Sequence, residues 1–415
     1  MKFNYELATT ALAGFTGLYA GSQLLGYNSA PLYLATGAAA IGAFVVNNVF
    51  SDSVDKKLEE VLKYRGLYVK NGDGSKVYAK KIRKEKTNYG YELEYKLPPG
   101  ASEEELYKLH RAMEVALNAE IEFWEKDGNI IFRIYTHTLP EFVDYDLLDP
   151  PEDMILPVAV GVSRAGIEWV DLASAPHGLN SGETGGGKTN LFRVFAHELM
   201  RSPNLEDLYV IDITRKLSYL RHNAYFGGDH ATIKAIVTKL TGIMEKRYAE
   251  FEEKGIDDIE YAPEYKRIVL LVDEFNTLSP AMAKGDEVAR AERYYILNKI
   301  TELVTRGRGC GIHVILGIQR PDAKIMEDGQ IKACMPVRFS FKTVDFSNSR
   351  IILDSPHAAL LPGDVKGRCY MRGKDRLRQI QIFNLPLLPL AKFILPTPQK
   401  SYKVEVENPL KFLLE

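Results

Sequence analysis

Eight consecutive residues, Gly182-Glu183-Thr184-Gly185-Gly186-Gly187-Lys188-Thr189, fit the pattern G-x-x-x-x-G-K-[ST]. Glycines at this spacing let backbone N–H groups converge on phosphate oxygens at a helix N-terminus. Lys188 would reach the β- and γ-phosphates of a nucleotide, and the Thr189 hydroxyl would ligate Mg²⁺. So short a pattern also arises by chance in glycine-rich turns, so its company matters. The apolar run "IVLLVDEF" ends in Asp273-Glu274. A carboxylate at Asp273 suits Mg²⁺, and one at Glu274 suits a general base that polarises an attacking water. A third apolar run, "HVILGI", ends at Gln319, where an amide would sense the γ-phosphate or place the water. Just before it, "TRGRGCGIH" offers Arg306 and Arg308. Arginines there are either ion-paired surface groups or charges that reach a neighbouring subunit's phosphate. ATP and Mg²⁺ are the cofactors these residues call for.

Such residues need rigid carriers. "LYVIDI", "IVLLVDE" and "GIHVILGI" are continuous apolar strands alternating with amphipathic helices, which predicts a parallel α/β sheet covered on both faces. The loop helix is expected from Asn190 through "LFRVFAHELM". One feature fits badly, because Gly178-Leu179-Asn180-Ser181 makes a poor buried strand, and a phosphate loop follows a strand.

Upstream, Asp52 to Arg65 reads as a charged helix. Lys76 to Lys86 packs six basic residues around one acid, Glu85, and is either a polyanion patch or a solvated face. Tyr89–Leu97 alternates like a half-buried strand, Ser102-x-x-Glu105 forms a capping box before a helix, and Asp127-Gly128-Asn129 turns between two strands. This predicts a small α+β domain. From Leu7 to Ser51 there is no Asp, Glu, Lys or Arg, enough for two spans of about 20 residues in a transmembrane hairpin, with a cleaved signal peptide or a soluble Ala/Gly-rich helical pair as the rival readings. Lys2 and the basic residues after Ser51 put both ends in the cytoplasm. Expected boundaries are 1–51 for the hairpin, 52–150 for the helix and small domain, 151–386 for the motor and 387–415 for the tail. The 53 Lys plus Arg against 55 Asp plus Glu give no net-charge argument for a nucleic-acid partner. Three cysteines without paired spacing argue against a disulfide framework or zinc site and fit a reducing cytosol.

Taken together, "PHGLNSGETGGGKTN", "MEKRYAEFEEKGIDDIEYAPEY", "VDEFNTL", "RGCGIHVILGIQRP", "IKACMPVRFSF" and "NSRIILDSPHAALLPGDV" resemble, in order and spacing, the motor of FtsK/SpoIIIE-type DNA translocases. The likeness covers about Leu156–Leu385, and Tyr89–Thr138 more faintly. It implies a RecA-like P-loop NTPase that works as a ring hexamer and pumps DNA. It gives Lys188 and Thr189 the phosphate and metal roles, Asp273 and Glu274 the hydrolytic ones, and Gln319 the sensor position. Arg308 and Arg350 fall on arginines that contact the neighbour's nucleotide. Two positions depart: Phe346 stands where the family often has lysine, and "DITRK" puts Thr214 where a lysine commonly follows the second strand.

A short hairpin, a small domain and a bare motor, with no room for a winged-helix reader, look like the coupling proteins of Gram-positive conjugative elements. Those bring relaxase-bound DNA to a membrane secretion channel. The expectation is therefore a multi-pass cell-membrane ATPase whose motor lies in the cytoplasm. Its partners would be DNA, relaxase, channel proteins and its own copies. A chromosome-segregation translocase and a type VII-like protein-secretion ATPase are the rival readings. Lys324, Lys332 and the Lys76–Lys86 run are the candidate DNA contacts.

Overall fold

The computed structural model describes residues 54–64, 67–70, 72–87, 89–101, 103–319, 330–373 and 377–385. The expected hairpin, the C-terminal tail and Lys324 lie outside these residues. Among the described residues no helix is long and apolar enough to cross a membrane. The chain divides into two compact units, one up to Thr138 and one from Leu139.

In the first unit, helix α1 (54–64) precedes a small hairpin of β1 (Tyr68–Lys70) and β2 (Lys76–Tyr78). Strands β3 (Lys80–Thr87), β4 (Gly90–Lys96), β5 (Glu120–Lys126) and β6 (Asn129–Tyr135), with helix α2 (Glu103–Leu117) between β4 and β5, complete the unit. The sheet is antiparallel in the order β3-β4-β6-β5. Alternation in β4 works as the sequence suggests, burying Tyr91, Leu93 and Tyr95. Asp127 and Gly128 both take positive φ, the geometry a two-residue hairpin turn requires. The basic run forms β2 and β3, and much of its charge is matched locally. Lys81 and Lys84 reach Asp55 of α1, while Arg83 reaches Glu85, Glu92 and Glu94.

The second unit is built on a ten-stranded sheet. Its strands are β7 (Pro157–Ser163), β8 (Gly166–Asp171), β9 (His177–Ser181), β10 (Leu205–Asp212), β11 (Tyr225–Gly227), β12 (Arg267–Asp273), β13 (Ile312–Ile318), β14 (Val337–Phe341), β15 (Arg368–Arg372) and β16 (Leu377–Ile382). They lie in the order β11-β10-β12-β13-β9-β14-β15-β16-β7-β8. From β11 to β14 the neighbours are parallel, and from β14 to β8 they are antiparallel. The sheet is thus mostly, not wholly, parallel. Helix α3 (Lys188–Arg201) packs its Leu191, Phe192, Phe195 and Leu199 on one face. Helices α4 (His230–Lys254) and α5 (Glu287–Arg306) cover the other with Ile233, Val237, Leu240, Ile300 and Leu303. Both faces are dry, which is why β10, β12 and β13 read as unbroken apolar runs.

Strand β9 is the exception that the sequence flagged. All five of its residues are buried, between β13 and β14. Some of its polar atoms have specific partners. His177 Nδ1 accepts the Val314 N–H at 3.1 Å, and Asn180 Nδ2 donates to the Lys188 carbonyl at 3.1 Å. On the neighbouring strand, His313 Nδ1 donates to the Pro176 carbonyl at 2.9 Å. Burial pushes His177 down to about 4 and His313 to about 3, so both rings are neutral.

Candidate active site

The glycine loop leaves the C-terminal end of β9 and enters α3 at Lys188, two residues earlier than the sequence pattern indicated. Gly187 precedes the helix with φ 129°, and no side chain caps the first turn, so its N–H groups are open to a ligand. The loop rests on the end of β14. Glu183 N–H donates to the Lys342 carbonyl at 3.0 Å, and Gly367 N–H donates to the Gly186 carbonyl at 2.8 Å. Gly182 and Gly186 form this seat; the cleft itself has a volume of about 200 Å³. Its lining includes Thr184, Gly185, Gly187, Lys188, Thr189, Asp273, Glu274 and Gln319.

Strand order explains the convergence. With β13 between β9 and β12, Gln319 stands between the loop and the acidic pair. Thr184 Oγ1 donates to Gln319 Oε1 at 3.2 Å, and the Gln319 N–H donates to Glu274 Oε1 at 3.3 Å. Glu274 itself is left-handed, φ 61° and ψ 61°, a conformation that turns its side chain back over the strand ends. Lys188 Nζ donates to the Glu183 carbonyl at 2.9 Å and also to the Gly182 carbonyl.

Burial dominates the electrostatics. It lowers Lys188 to about 8, against the pull of Glu274 and Asp273. It raises Asp273, with the neighbouring Asp212 charge adding to the effect, and raises Glu274 against the Gln319 N–H and Lys188. A buried cation facing two reluctant carboxylates suits a ligand that brings both phosphate charge and a divalent metal. Among the described residues no cluster of three or more His, Cys, Asp or Glu side chains could hold a metal alone. One hydroxyl, Thr189, and one carboxylate, Asp273, fit a hard cation that takes its remaining oxygens from phosphate and water.

Sequence reasoning missed Lys216, which also lines the cleft. Thr214 occupies the position where a lysine was sought, and the lysine lies two residues further on. Thr214 is itself tied in, donating to Asp212 Oδ1 at 2.7 Å and lying 3.4 Å from Asp273 Oδ2.

The two arginines are elsewhere. Arg308 sits in the turn Gly307–Cys310 before β13, at the edge of the sheet opposite the glycine loop. Seven residues of strand, about 20 Å, separate the two edges. The Arg308 side chain is 64% exposed, with Glu260 at 3.8 Å. Its turn is pinned on both sides. Arg247 Nη1 donates to the Cys310 carbonyl at 2.6 Å, and Tyr248 donates to the Arg306 carbonyl. Arg306 is paired with Glu245 and Glu302 in its own chain. Arg350, on helix α6 (Phe346–Leu353), is exposed and does not line the cleft. Lys332, a candidate DNA contact, pairs with Asp354 at 2.5 Å. Cys310 is buried, its Sγ 3.3 Å from the Gly307 carbonyl.

A glycine loop on a central parallel strand, opposed by an acidic pair two strands away, defines the fold and site of a P-loop ATPase. No family model matches the chain. It is similar to DNA translocases called FtsK. That of Caldanaerobacter subterraneus is 32% identical over 224 residues, 50% of this chain and 30% of the relative. That of Tropheryma whipplei is 30% identical over 285 residues, 61% of this chain and 37% of the relative. The chain thus spans about a third of the length of these curated relatives. In fold it is similar to the pCW3 conjugation coupling protein TcpA, solved as a monomer with ATPγS. That likeness has a TM-score of 0.59 and 22% identity, covering 80% of this chain and 96% of the other.

Proposed function

We propose that this protein is a membrane-anchored, ATP-driven DNA translocase that serves conjugative transfer as a coupling protein. The convergence of Lys188, Thr189, Asp273, Glu274 and Gln319 on one cleft carries the reading. In it, Lys188 and the loop amides bind phosphates, Thr189 and Asp273 hold Mg²⁺, and Glu274 takes a proton from the attacking water. ATP supplies the phosphoryl group whose transfer to water drives movement. The similarity to FtsK translocases supports DNA as the substrate. The near-complete coverage of a conjugation coupling protein supports the transfer role, with relaxase and channel proteins as partners. The charge-free stretch from Leu7 to Ser51 supports a multi-pass membrane anchor with the motor in the cytoplasm. Arg308 and Arg350, both outside the cleft, are assigned to a neighbour's nucleotide in a ring hexamer.

The test is ATP turnover by the full chain in mild detergent, alone and with single-stranded DNA, duplex DNA or an unfolded polypeptide. DNA is expected to stimulate turnover several-fold. Lys188→Ala and Glu274→Gln are each expected to lower it by roughly a hundredfold or more. Turnover indifferent to every DNA would sink the translocase reading, and stimulation by polypeptide alone would move it to protein secretion.

A further inference from the structure

The structure carries a second cation into the nucleotide cleft by a route that strand pattern does not reveal. Asp212, the last residue of β10, is fully buried. Its Oδ2 accepts the Leu217 N–H at 2.7 Å, and its Oδ1 accepts the Thr214 hydroxyl at 2.7 Å. Leu217 is buried in the core. The chain is therefore fixed at both ends of a three-residue loop, Thr214-Arg215-Lys216. Within it Arg215 takes φ 60°, a left-handed turn that a non-glycine residue adopts only where its surroundings impose it. This turn brings Lys216 to the wall of the cleft.

We infer that Lys216 is a second phosphate-binding residue of this site, selective for the terminal phosphate of a nucleoside triphosphate. The inference rests on the proposed nucleotide site. Three observations support it. Lys216 lines the same cleft as Lys188, Asp273 and Glu274, and its charge acts on both Lys188 and Asp273. Among the described residues no hydrogen bond or ion pair joins Lys216 to another side chain, and its attraction is to Asp273 at the cleft itself. Its direction of approach also differs from that of Lys188. The glycine loop and the start of α3 lie over β9, whereas Lys216 comes from β10, next to the β12 strand that ends in Asp273. The two lysines thus flank the acidic pair. The one on the Asp273 side would meet the phosphate farthest from the loop and the cation that Asp273 would hold.

The charge balance gives the same answer. Asp273 and Glu274 outnumber Lys188, and a triphosphate remains anionic even with one divalent cation. The Lys216 ammonium, carried on a stapled loop, offsets the excess without the chain having to reorganise.

The test compares affinities for ATPγS and ADP, by titration of the full chain in detergent with Mg²⁺. Lys216→Met is expected to weaken ATPγS about tenfold while leaving ADP within about twofold, the scale of one charge-assisted contact. Lys216→Arg is expected to keep most of the ATPγS affinity. Unchanged ATPγS affinity in Lys216→Met would overturn the assignment. So would equal losses for both nucleotides, which would indicate a general field instead of a terminal-phosphate contact. Wild-type protein that binds neither nucleotide would overturn the nucleotide site itself, a result distinct from the failure of Lys216 alone.

Discussion

Asp273 and Glu274 are carboxylates that the fold makes reluctant to ionise. Both sit in buried positions, and both are held above the ordinary carboxylate range. For a group whose pKa is raised on folding, the folded state binds more protons than the unfolded one between the two values. Stability therefore falls as pH rises through that window. Glu274→Gln removes the charge and keeps the shape. It is expected to stabilise the motor by about 1 kcal/mol at pH 8, or about 2–4 °C. The gain should shrink as the solution is acidified through the raised folded-state value, where the wild-type carboxyl is itself protonating. Scanning calorimetry at pH 8 and at successively lower pH reads this directly, and equal melting temperatures at pH 8 would remove the argument. The same substitution is expected to stop hydrolysis, so stability and turnover move in opposite directions at one atom pair.

At the scale of elements, the glycine loop is defined by what it leans on. A Cβ at Gly182 would stand 2.6 Å from Phe341 Cβ and 3.1 Å from its Cα, at a φ of 140°. Gly185, also at positive φ, has nothing within 4 Å. Gly182→Ala is expected to cost about 2–3 kcal/mol in urea unfolding, from overpacking and backbone strain together. Gly185→Ala should cost only the strain, about 1 kcal/mol. Similar costs for both would mean that β14 does not support the loop. The same packing separates what the sequence made legible from what it did not. Strands β10, β12 and β13 were readable because their dry centres are mainly apolar, and the residues at their ends came with them. Strand β9 was obscured because its buried groups are polar, and their partners, such as Val314 for His177 and the Lys188 carbonyl for Asn180, cannot be read from strand pattern. Lys216 was invisible for another reason: its place in the cleft depends on one left-handed residue, Arg215, and on the Asp212 staple. The basic run left a polyanion patch and a solvated face open because partners such as Asp55, Glu92 and Glu94 lie on other elements.

For the molecule as a whole, the decisive fact is the separation of Arg308 from its own cleft by the length of β13. No side-chain rotation covers about 20 Å, so any phosphate contact by Arg308 is to another copy. Mixing Arg308→Ala chains with Glu274→Gln chains, each inactive alone, is therefore expected to restore part of the ATPase rate. The rate should peak at intermediate ratios. No recovery at any ratio would return Arg308 to a structural role beside Glu260. In the proposed ring such a contact would be head-to-tail, one chain's arginine end against the next chain's cleft, the type of interface that gives a ring when its rotation closes.

The pinned turn at Gly307–Cys310 has a consequence for inheritance. In the proposed ring, a chain defective at both its cleft and its arginine edge would silence its own site and its neighbour's. A cell making normal and doubly defective copies in equal amount would, in such a ring, lose far more than half its ATPase capacity. Such an allele would be dominant.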